Sequence, residues 1–154
     1  MGVCIGLCAA AVAWEFAQRS AARGAGLFGR ALQSVPITED GRLFLEAVTL
    51  FGDGAVREGQ RVALYSHSGI AFVMPQDGVV VLSLSGVAAD GIWPALNVEI
   101  GTMAPTGHQM SSAQQDLTLG PVTAGQVVVV QFSNDGFGAD GVDRNLWIDQ
   151  IQLK

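Results

Sequence analysis

The sequence has little charge, and what it has is unevenly distributed. Only 14% of the 154 residues are Asp, Glu, Lys or Arg, against roughly 25% in ordinary soluble domains. Residues 62–154 carry two basic and eight acidic residues, a net charge of −6, whereas residues 1–61 are neutral overall. Because an acidic half of this kind repels a phosphate backbone, the charge distribution argues against nucleic acid as a partner.

Cysteine and histidine are also scarce. Cys4 and Cys8 are the only cysteines, and both lie near the N-terminus, so no disulfide framework holds the body of the fold together. The two histidines, His67 and His108, are too few for a His-rich zinc site. Ser66 stands beside His67, but no G-x-S-x-G elbow is present. We therefore expect no enzymatic activity.

A long apolar run is missing as well. The uncharged segment from Gly2 to Trp14 is too short for a full membrane span, which needs about 20 residues. It has the length of a signal-peptide core, but no Lys or Arg precedes it. We expect residues 1–30 to form a retained, membrane-associated apolar helix and residues 31–40 to form a linker. Small residues spaced four apart predict close contact with a membrane or partner helix, although Ala-rich helices also give this spacing by chance. The candidate contact residues are Gly2, Gly6, Ala10 and Trp14.

From Ile37 onward, apolar residues tend to recur at every second position. Short β-branched segments bounded by Asp-Gly and other turn residues predict strands, with no helical pattern between them. Such a pattern indicates an all-β, antiparallel, jelly-roll-like β-sandwich over residues 41–154. Trp147, which alternates with Ile148 on the last strand, is predicted to lie in the core. The predicted strands are 61–65, 70–73, 79–84, 96–100, 126–132 and 146–153.

Three aspartates share one Gly-rich loop between the last two predicted strands. Asp135, Asp140 and Asp143 repel one another unless something neutralises them. Ca²⁺ takes six to eight oxygen ligands and suits a flexible loop of this kind. The spacing does not match an EF-hand. On these residues alone, a calcium site and a solvated Asp-rich turn are both open.

The motifs around this loop resemble a known family. The closing segments are similar to those of calcium-dependent, xylan-binding carbohydrate-binding modules, and further segments resemble the family's opening strand and middle hairpin. The resemblance covers roughly residues 41–154 and implies a β-sandwich that binds polysaccharide. The segments that carry it are 45–47, 88–94, 96–100, 132–135 and 143–149.

The resemblance also implies metal ligands. In the family, a loop calcium is held by aspartates and backbone carbonyls and directly contacts sugar hydroxyls. Carried over to this sequence, Asp135 and Asp140 are the leading ligands, followed by the carbonyl of Ala139 and by Asp143. Arg144 is expected to pair with the aspartates of this loop.

Relatives often hold a second, structural calcium near the first and last strands. The resemblance places this ion at Glu46 and Asp149, although Val48 stands where a second Glu is common. Phe137 and Trp93 are candidates for stacking on a sugar, and packing is the alternative for each.

Two functions remain open. One is a calcium-dependent glycan-binding module. The other is a non-catalytic accessory subunit of a bacterial membrane protein assembly, in which the sandwich is an interaction surface and residues 1–30 contact membrane protein subunits. This arrangement resembles the small accessory subunit of some bacterial reaction-centre–light-harvesting complexes.

We favour the accessory subunit, because a polysaccharide-binding module usually accompanies a catalytic domain. We expect a periplasmic location, where calcium and glycans are abundant. The positive-inside rule applied to Arg19, Arg23 and Arg30 favours the opposite face, but that rule presumes a complete span.

Overall fold

The computed structural model describes residues 32–154. The predicted N-terminal helix lies outside this range. So do its predicted contact residues, which are Gly2, Gly6, Ala10 and Trp14. In the described range, no helix is long and apolar enough to cross a membrane. The elements are a 3-10 helix (Leu45–Ala47) and the strands β1 (Thr49–Phe51), β2 (Ala55–Glu58), β3 (Arg61–Leu64), β4 (Gly69–Val73), β5 (Gly78–Val87), β6 (Ala95–Ile100), β7 (Thr106–Gln109), β8 (Gln114–Val122), β9 (Val127–Phe132) and β10 (Asn145–Leu153).

The strands form two five-stranded antiparallel sheets. The first has the order β1-β4-β9-β6-β7 and the second has the order β2-β3-β10-β5-β8. The chain crosses between the sheets at most connections, as in a jelly roll. Buried side chains from both sheets form one hydrophobic cluster between them. The predicted fold class, an antiparallel β-sandwich, is confirmed.

Alternation along the strands fills this core. Val130 on β9 and Leu146 and Ile148 on β10 are fully buried, and the residues between such positions, among them Val129 and Trp147, are partly exposed on the outer faces. At Asp149 the register of β10 against β5 shifts by one residue. The next inward position is therefore Ile151, three residues after Ile148 instead of two.

The segment before the first strand packs onto the sandwich. Val35 is buried in the core, and Ser34 forms a parallel bridge to Val73. Part of the predicted linker, residues 31–40, therefore contributes to the domain. Leu45–Ala47 resembles an opening strand in the sequence but forms a 3-10 helix, because the Val48 N–H closes a turn on the Leu45 carbonyl.

Two long connections leave the sandwich at the same end. Asn145 at the start of β10 pairs with Val87 at the end of β5. Leu96 near the start of β6 pairs with Phe132 at the end of β9. Because these pairs are antiparallel, the loop after β5 and the loop after β9 emerge side by side. We call residues 88–94 the hairpin loop and residues 133–144 the acidic loop.

Candidate functional site

A tight turn forms the tip of the hairpin loop. Asp90 and Gly91 both have left-handed backbones, with φ of 51° and 74°. The flanking residues Ala89 and Ile92 exchange main-chain hydrogen bonds of 3.1 and 3.0 Å. Two successive positive φ angles define a type I′ turn, which Asp-Gly favours. The turn presents the Asp90 carboxylate to the acidic loop.

The two loops are joined by reciprocal hydrogen bonds. The Ala139 N–H donates to Asp90 Oδ2 at 2.9 Å and the Asp140 N–H donates to Asp90 Oδ1 at 3.1 Å. In return, the Asp90 N–H donates to Asp140 Oδ2 at 3.0 Å, and the Val142 N–H donates to Asp140 Oδ1 at 3.0 Å. The bond from the Asp90 amide, followed by that from Val142, lowers the pKa of Asp140 below its usual value. The Asp140 carboxylate therefore carries a negative charge at neutral pH.

The carboxylates converge on a glycine. A Cβ atom added at Gly138 would stand 2.3 Å from Asp140 Oδ1 and 3.0 Å from Asp90 Oδ1. These oxygens belong to residues 50 positions apart in the chain. Because a side chain at Gly138 would force the loops apart, the glycine allows two acidic groups to share one small region.

Arg144 connects the two loops through its guanidinium group. Its side chain is only 9% exposed, and its guanidinium donates to the carbonyls of Ile92 at 2.9 Å, Ala89 at 3.2 Å and Asn134. The prediction that Arg144 pairs with the loop aspartates is corrected here. Its donors are directed at main-chain carbonyls of both loops, and two of these carbonyls, those of Ala89 and Ile92, also accept a main-chain N–H within the turn.

Asn134 makes a second connection between the loops. Its Oδ1 accepts from the Ala95 N–H at 2.5 Å and its Nδ2 donates to the Trp93 carbonyl at 2.9 Å. Trp93 is partly buried against the core, so the structure favours packing for this residue. Phe137 is 74% exposed and Ile92 is 48% exposed. These two side chains give the loops an apolar surface open to solvent.

The orientation of Arg144 leaves the acidic groups without a basic partner. Among residues 32–154, the ion pairs are confined to Asp40 and Glu58, with Arg42 and Arg61 as their partners. The Asp90 and Asp140 carboxylates thus lie close together with no ion-pair partner among the described residues. This is the electrostatic condition in which a bound cation is stabilising.

The donor chemistry at the loop pair fits calcium. Carboxylate oxygens that accept N–H bonds keep lone pairs for a hard cation, and such hydrogen bonds also orient the ligand. Within the described part of the chain, no three His, Cys, Asp or Glu side chains form a metal-binding group. The remaining positions of an ion at Asp90 and Asp140 would therefore be filled by carbonyl oxygens, water or a bound ligand.

The other predicted ligands of the loop calcium lie on the same loop. Asp135 is partly exposed at its start, and Asp143 is exposed and bridges to Phe137 near its end. Ala139 is exposed, and its amide is bound to Asp90. Their roles as ligands remain predictions. Asp90 is not among the site residues predicted from the sequence, because an Asp-Gly pair is explained by a turn alone. The residues whose amides bind its carboxylate are 49 and 50 positions away in the chain.

The predicted structural calcium site is less clearly formed. Glu46 is exposed in the 3-10 helix, and its carbonyl accepts from Arg57 at 3.1 Å. Val48, where a second Glu is common in relatives, is buried in the core. Asp149 stands at the register shift of β10 and borders a groove on the outer face of the sheet. This site also remains a prediction.

Trp147 is not in the core as predicted. It is half-buried on the outer face of β10, where its Nε1 donates to Glu58 Oε2 at 3.1 Å. Glu58 also accepts from the Tyr65 hydroxyl and from Arg61 at 3.2 Å. Arg61 lies 5.0 Å above the Trp147 ring. We call these four residues the Glu58 network.

Hydrogen bonding within the network shifts two pKa values. The bond from Tyr65, with further bonds from Trp147 and Arg61, lowers the pKa of Glu58. The same bond to Glu58 raises the pKa of Tyr65. The network is a set of mutually satisfied groups that connects β3, β10 and the end of β2.

Comparison with known proteins bears directly on the two loops. Residues 79–154 match the family of calcium-dependent xylan-binding carbohydrate-binding modules, CBM60. The resemblance drawn from the sequence is thereby confirmed, and so is the expectation of calcium at the level of the family. The matched segment contains the hairpin loop, the acidic loop and β10. Among curated protein sequences, none matches this chain.

Solved structures share the fold at low identity. An acetyl xylan esterase from the rumen bacterium Butyrivibrio proteoclasticus is 12% identical with a TM-score of 0.57, over 79% of this chain and 32% of that one. A family two carbohydrate esterase from Cellvibrio japonicus is 12% identical with a TM-score of 0.51, over 69% of this chain and 30% of that one. The match spans about a third of each esterase.

A shorter structure is matched along most of its length. A family 36 carbohydrate-binding module in complex with calcium and xylotriose is 13% identical with a TM-score of 0.47, over 71% of this chain and 95% of that one. At such identities, the solved structures show similarity of fold alone.

These findings overturn the favoured function. The prediction of an accessory subunit in a membrane assembly of the reaction-centre–light-harvesting kind is wrong, because the family match is to a polysaccharide-binding module. The alternative, a calcium-dependent glycan-binding module, is the function that the match favours. The matched family is described as a binding module, and the absence of catalysis in this chain stays a prediction.

Proposed function

We propose that the sandwich is a non-catalytic module that binds xylan-type polysaccharide through a calcium ion held between the hairpin and acidic loops. One observation carries the proposal. Oxygens of Asp90 and Asp140 converge on Gly138, while the nearby cation, Arg144, is committed to main-chain carbonyls. The family match to residues 79–154 supports the choice of ion and ligand.

Each loop residue has a distinct role in this proposal. Asp140 and Asp90 supply carboxylate oxygens whose positions are fixed by the amides of Ala139 and Val142. Asp135 is the further carboxylate that we place on the ion, and Asp143 and the Ala139 carbonyl are the remaining candidates. When bound, calcium would supply coordination positions for hydroxyl oxygens of a sugar.

The exposed apolar side chains suit the same ligand. A pyranose ring presents C–H groups on its faces, and these pack against apolar side chains while its hydroxyls remain at the rim. Phe137 and Ile92 are exposed on the two loops that carry the carboxylates. We assign them this contact, with Phe137 as the larger contributor because an aromatic ring offers the greater area.

The charge of the loops explains why binding should need the ion. Without calcium, the acidic loop and Asp90 offer only acceptors and mutual repulsion. With calcium, the local negative charge is reduced by two and hydroxyl oxygens gain a ligand position. A neutral polysaccharide fits this arrangement, and we place the domain outside the cytoplasm, where such polymers and free calcium are abundant.

The proposal is tested by affinity electrophoresis in xylan gels, run with calcium and with excess chelator. We expect retardation with calcium and much weaker retardation with chelator. Asp140→Ala should lose the calcium-dependent part. Asp53→Ala, which removes an exposed carboxylate from the β1–β2 loop, is the matched control and should behave as wild type. Equal retardation of both variants with calcium would contradict the proposal.

A further inference from the structure

A groove lies on the outer face of the second sheet and contains none of the residues assigned to the loop calcium, although Asp149, a candidate for the structural calcium, is part of its lining. It has a volume of about 360 Å³ and is bordered by β5, β8 and β10. Ser83 lies between the buried residues Leu82 and Leu84, so its side chain faces outward. The groove is lined by Ser83, Leu84, Gln114, Gln115, Asp116 and Asp149.

The size of the groove restricts its occupant. A water or a bare ion needs about 30 Å³ or less, whereas sites for small organic ligands begin at about 300 Å³. The groove falls just above the lower bound for organic ligands. It is large enough for a sugar unit and far larger than an ion requires.

The lining selects a neutral ligand that is rich in hydroxyl groups. It contains two carboxylates, two amides and one hydroxyl, and no basic side chain. The Ser83 hydroxyl already donates to Asp116 Oδ1 at 2.8 Å, which orients that carboxylate. Hydroxyl donors satisfy such acceptors, while phosphate, sulfate and uronic acid groups are repelled.

Two irregularities of the sheet occur at this groove. Because of the register shift, Asp149 is unpaired with β5 and forms a β-bulge in β10. Ser85 Oγ is buried and, within the described residues, has no hydrogen-bond partner. Ser85 pairs across the ladder with Gln114 of the groove. An unsatisfied hydroxyl is costly, and this one belongs to the cross-strand neighbour of a residue that lines the groove.

We propose that this groove binds a sugar unit of a neutral polysaccharide without calcium, as a second contact beside the loop site. The choice of polysaccharide as the occupant rests on the proposed function, whereas the calcium independence follows from the groove. No aromatic side chain lines it, so binding there is weaker than at the loops. Two weak contacts on one polymer raise the overall affinity above that of either contact.

The test isolates the groove by disabling the loops. Asp140→Ala is combined with excess chelator, and neutral xylo-, manno- and gluco-oligosaccharides are titrated while amide NMR shifts are followed. We expect weak saturable binding of at least one of them, with shifts centred on β5, β8 and the start of the bulge. Adding Asp116→Ala should weaken it about fivefold, the loss of one hydrogen bond. Thr118→Ala, two positions along β8 and outside the lining, should leave it unchanged.

Several results would overturn the inference. These are no binding of any oligosaccharide, binding that appears only when calcium is restored, and equal binding by the Asp116→Ala and Thr118→Ala variants. The loop site is judged separately, by the calcium-dependent part of the xylan retardation of the protein in which Asp140 is intact.

Discussion

The acidic loops and the Glu58 network both combine carboxylates, an arginine and aromatic or apolar side chains, but their hydrogen bonding differs. In the network, Glu58 accepts hydrogen bonds from a phenol, an indole and a guanidinium, so its negative charge is paired with a basic group of the protein itself. At the loops, Asp90 and Asp140 accept only main-chain amides among their described bonds. Arg61 binds a carboxylate, whereas Arg144 binds carbonyls.

This difference separates a structural cluster from a binding site. A carboxylate that is saturated by side-chain donors stabilises the fold and has little left for a ligand. A carboxylate that accepts hydrogen bonds from main-chain amides is held in one orientation. Its negative charge is not neutralised, because an amide carries no net charge. The composition of the two clusters is similar, so the partner of each arginine is the feature that distinguishes them.

The largest expected effect comes from Arg144. Arg144→Ala removes the three hydrogen bonds that the guanidinium donates to the carbonyls of Ala89, Ile92 and Asn134, and we expect a loss of about 3 kcal/mol in the free energy of unfolding. Urea denaturation measures it. Arg42→Ala breaks the exposed pair with Asp40 and should cost less than about 1 kcal/mol. Similar losses for both variants would show that Arg144 does not anchor the loops.

The Glu58 network predicts a dependence of stability on pH. The pKa of Glu58 is lowered from 4.5 in the folded protein, so its contribution is complete above that pH and is lost as pH falls through the folded pKa. Glu58→Gln should therefore lower the melting temperature at pH 7 and have a progressively smaller effect below pH 4.5. Glu39→Gln, at an exposed site, is the control. A constant difference across this range would contradict the account.

The smallest effect is expected at the apolar rim of the loops. Phe137→Ala should weaken xylo-oligosaccharide binding about fivefold, a typical value for one aromatic contact, with no change in thermal stability. Phe44→Ala removes another exposed phenylalanine far along the chain from the loops and should leave binding unchanged. Calorimetric titration with calcium present distinguishes them. Unchanged binding by Phe137→Ala would remove this residue from the site.

The sequence predicted the strands at the centre of each sheet and missed those at the edges. The six predicted segments correspond to β3, β4, β5, β6, β9 and β10, and the four missed strands are β1, β2, β7 and β8, which are the edges of the two sheets. Edge strands pair on one side only and tolerate polar residues, glycine and proline. β7 reads Thr-Gly-His-Gln, and β8 contains Gly120 and Pro121.

The site was predictable in part. The acidic loop was evident from the spacing of Asp135, Asp140 and Asp143, but the contribution of Asp90 depends on a register that brings residues 50 positions apart together. The role of Arg144 was not predictable for a similar reason. A basic residue among aspartates suggests an ion pair, and only the fold reveals that buried carbonyls compete for it.

The most direct test of this account is a calorimetric titration of calcium into the wild-type protein and into Asp90→Asn. Asn tolerates the left-handed backbone at this position, so the turn should persist while one charge is lost. We predict one loop calcium in the wild type and an affinity about tenfold or more weaker in the variant, with Asp53→Asn unchanged. Calcium binding of equal strength in wild type and Asp90→Asn would contradict the assignment of the ion to the space between the two loops.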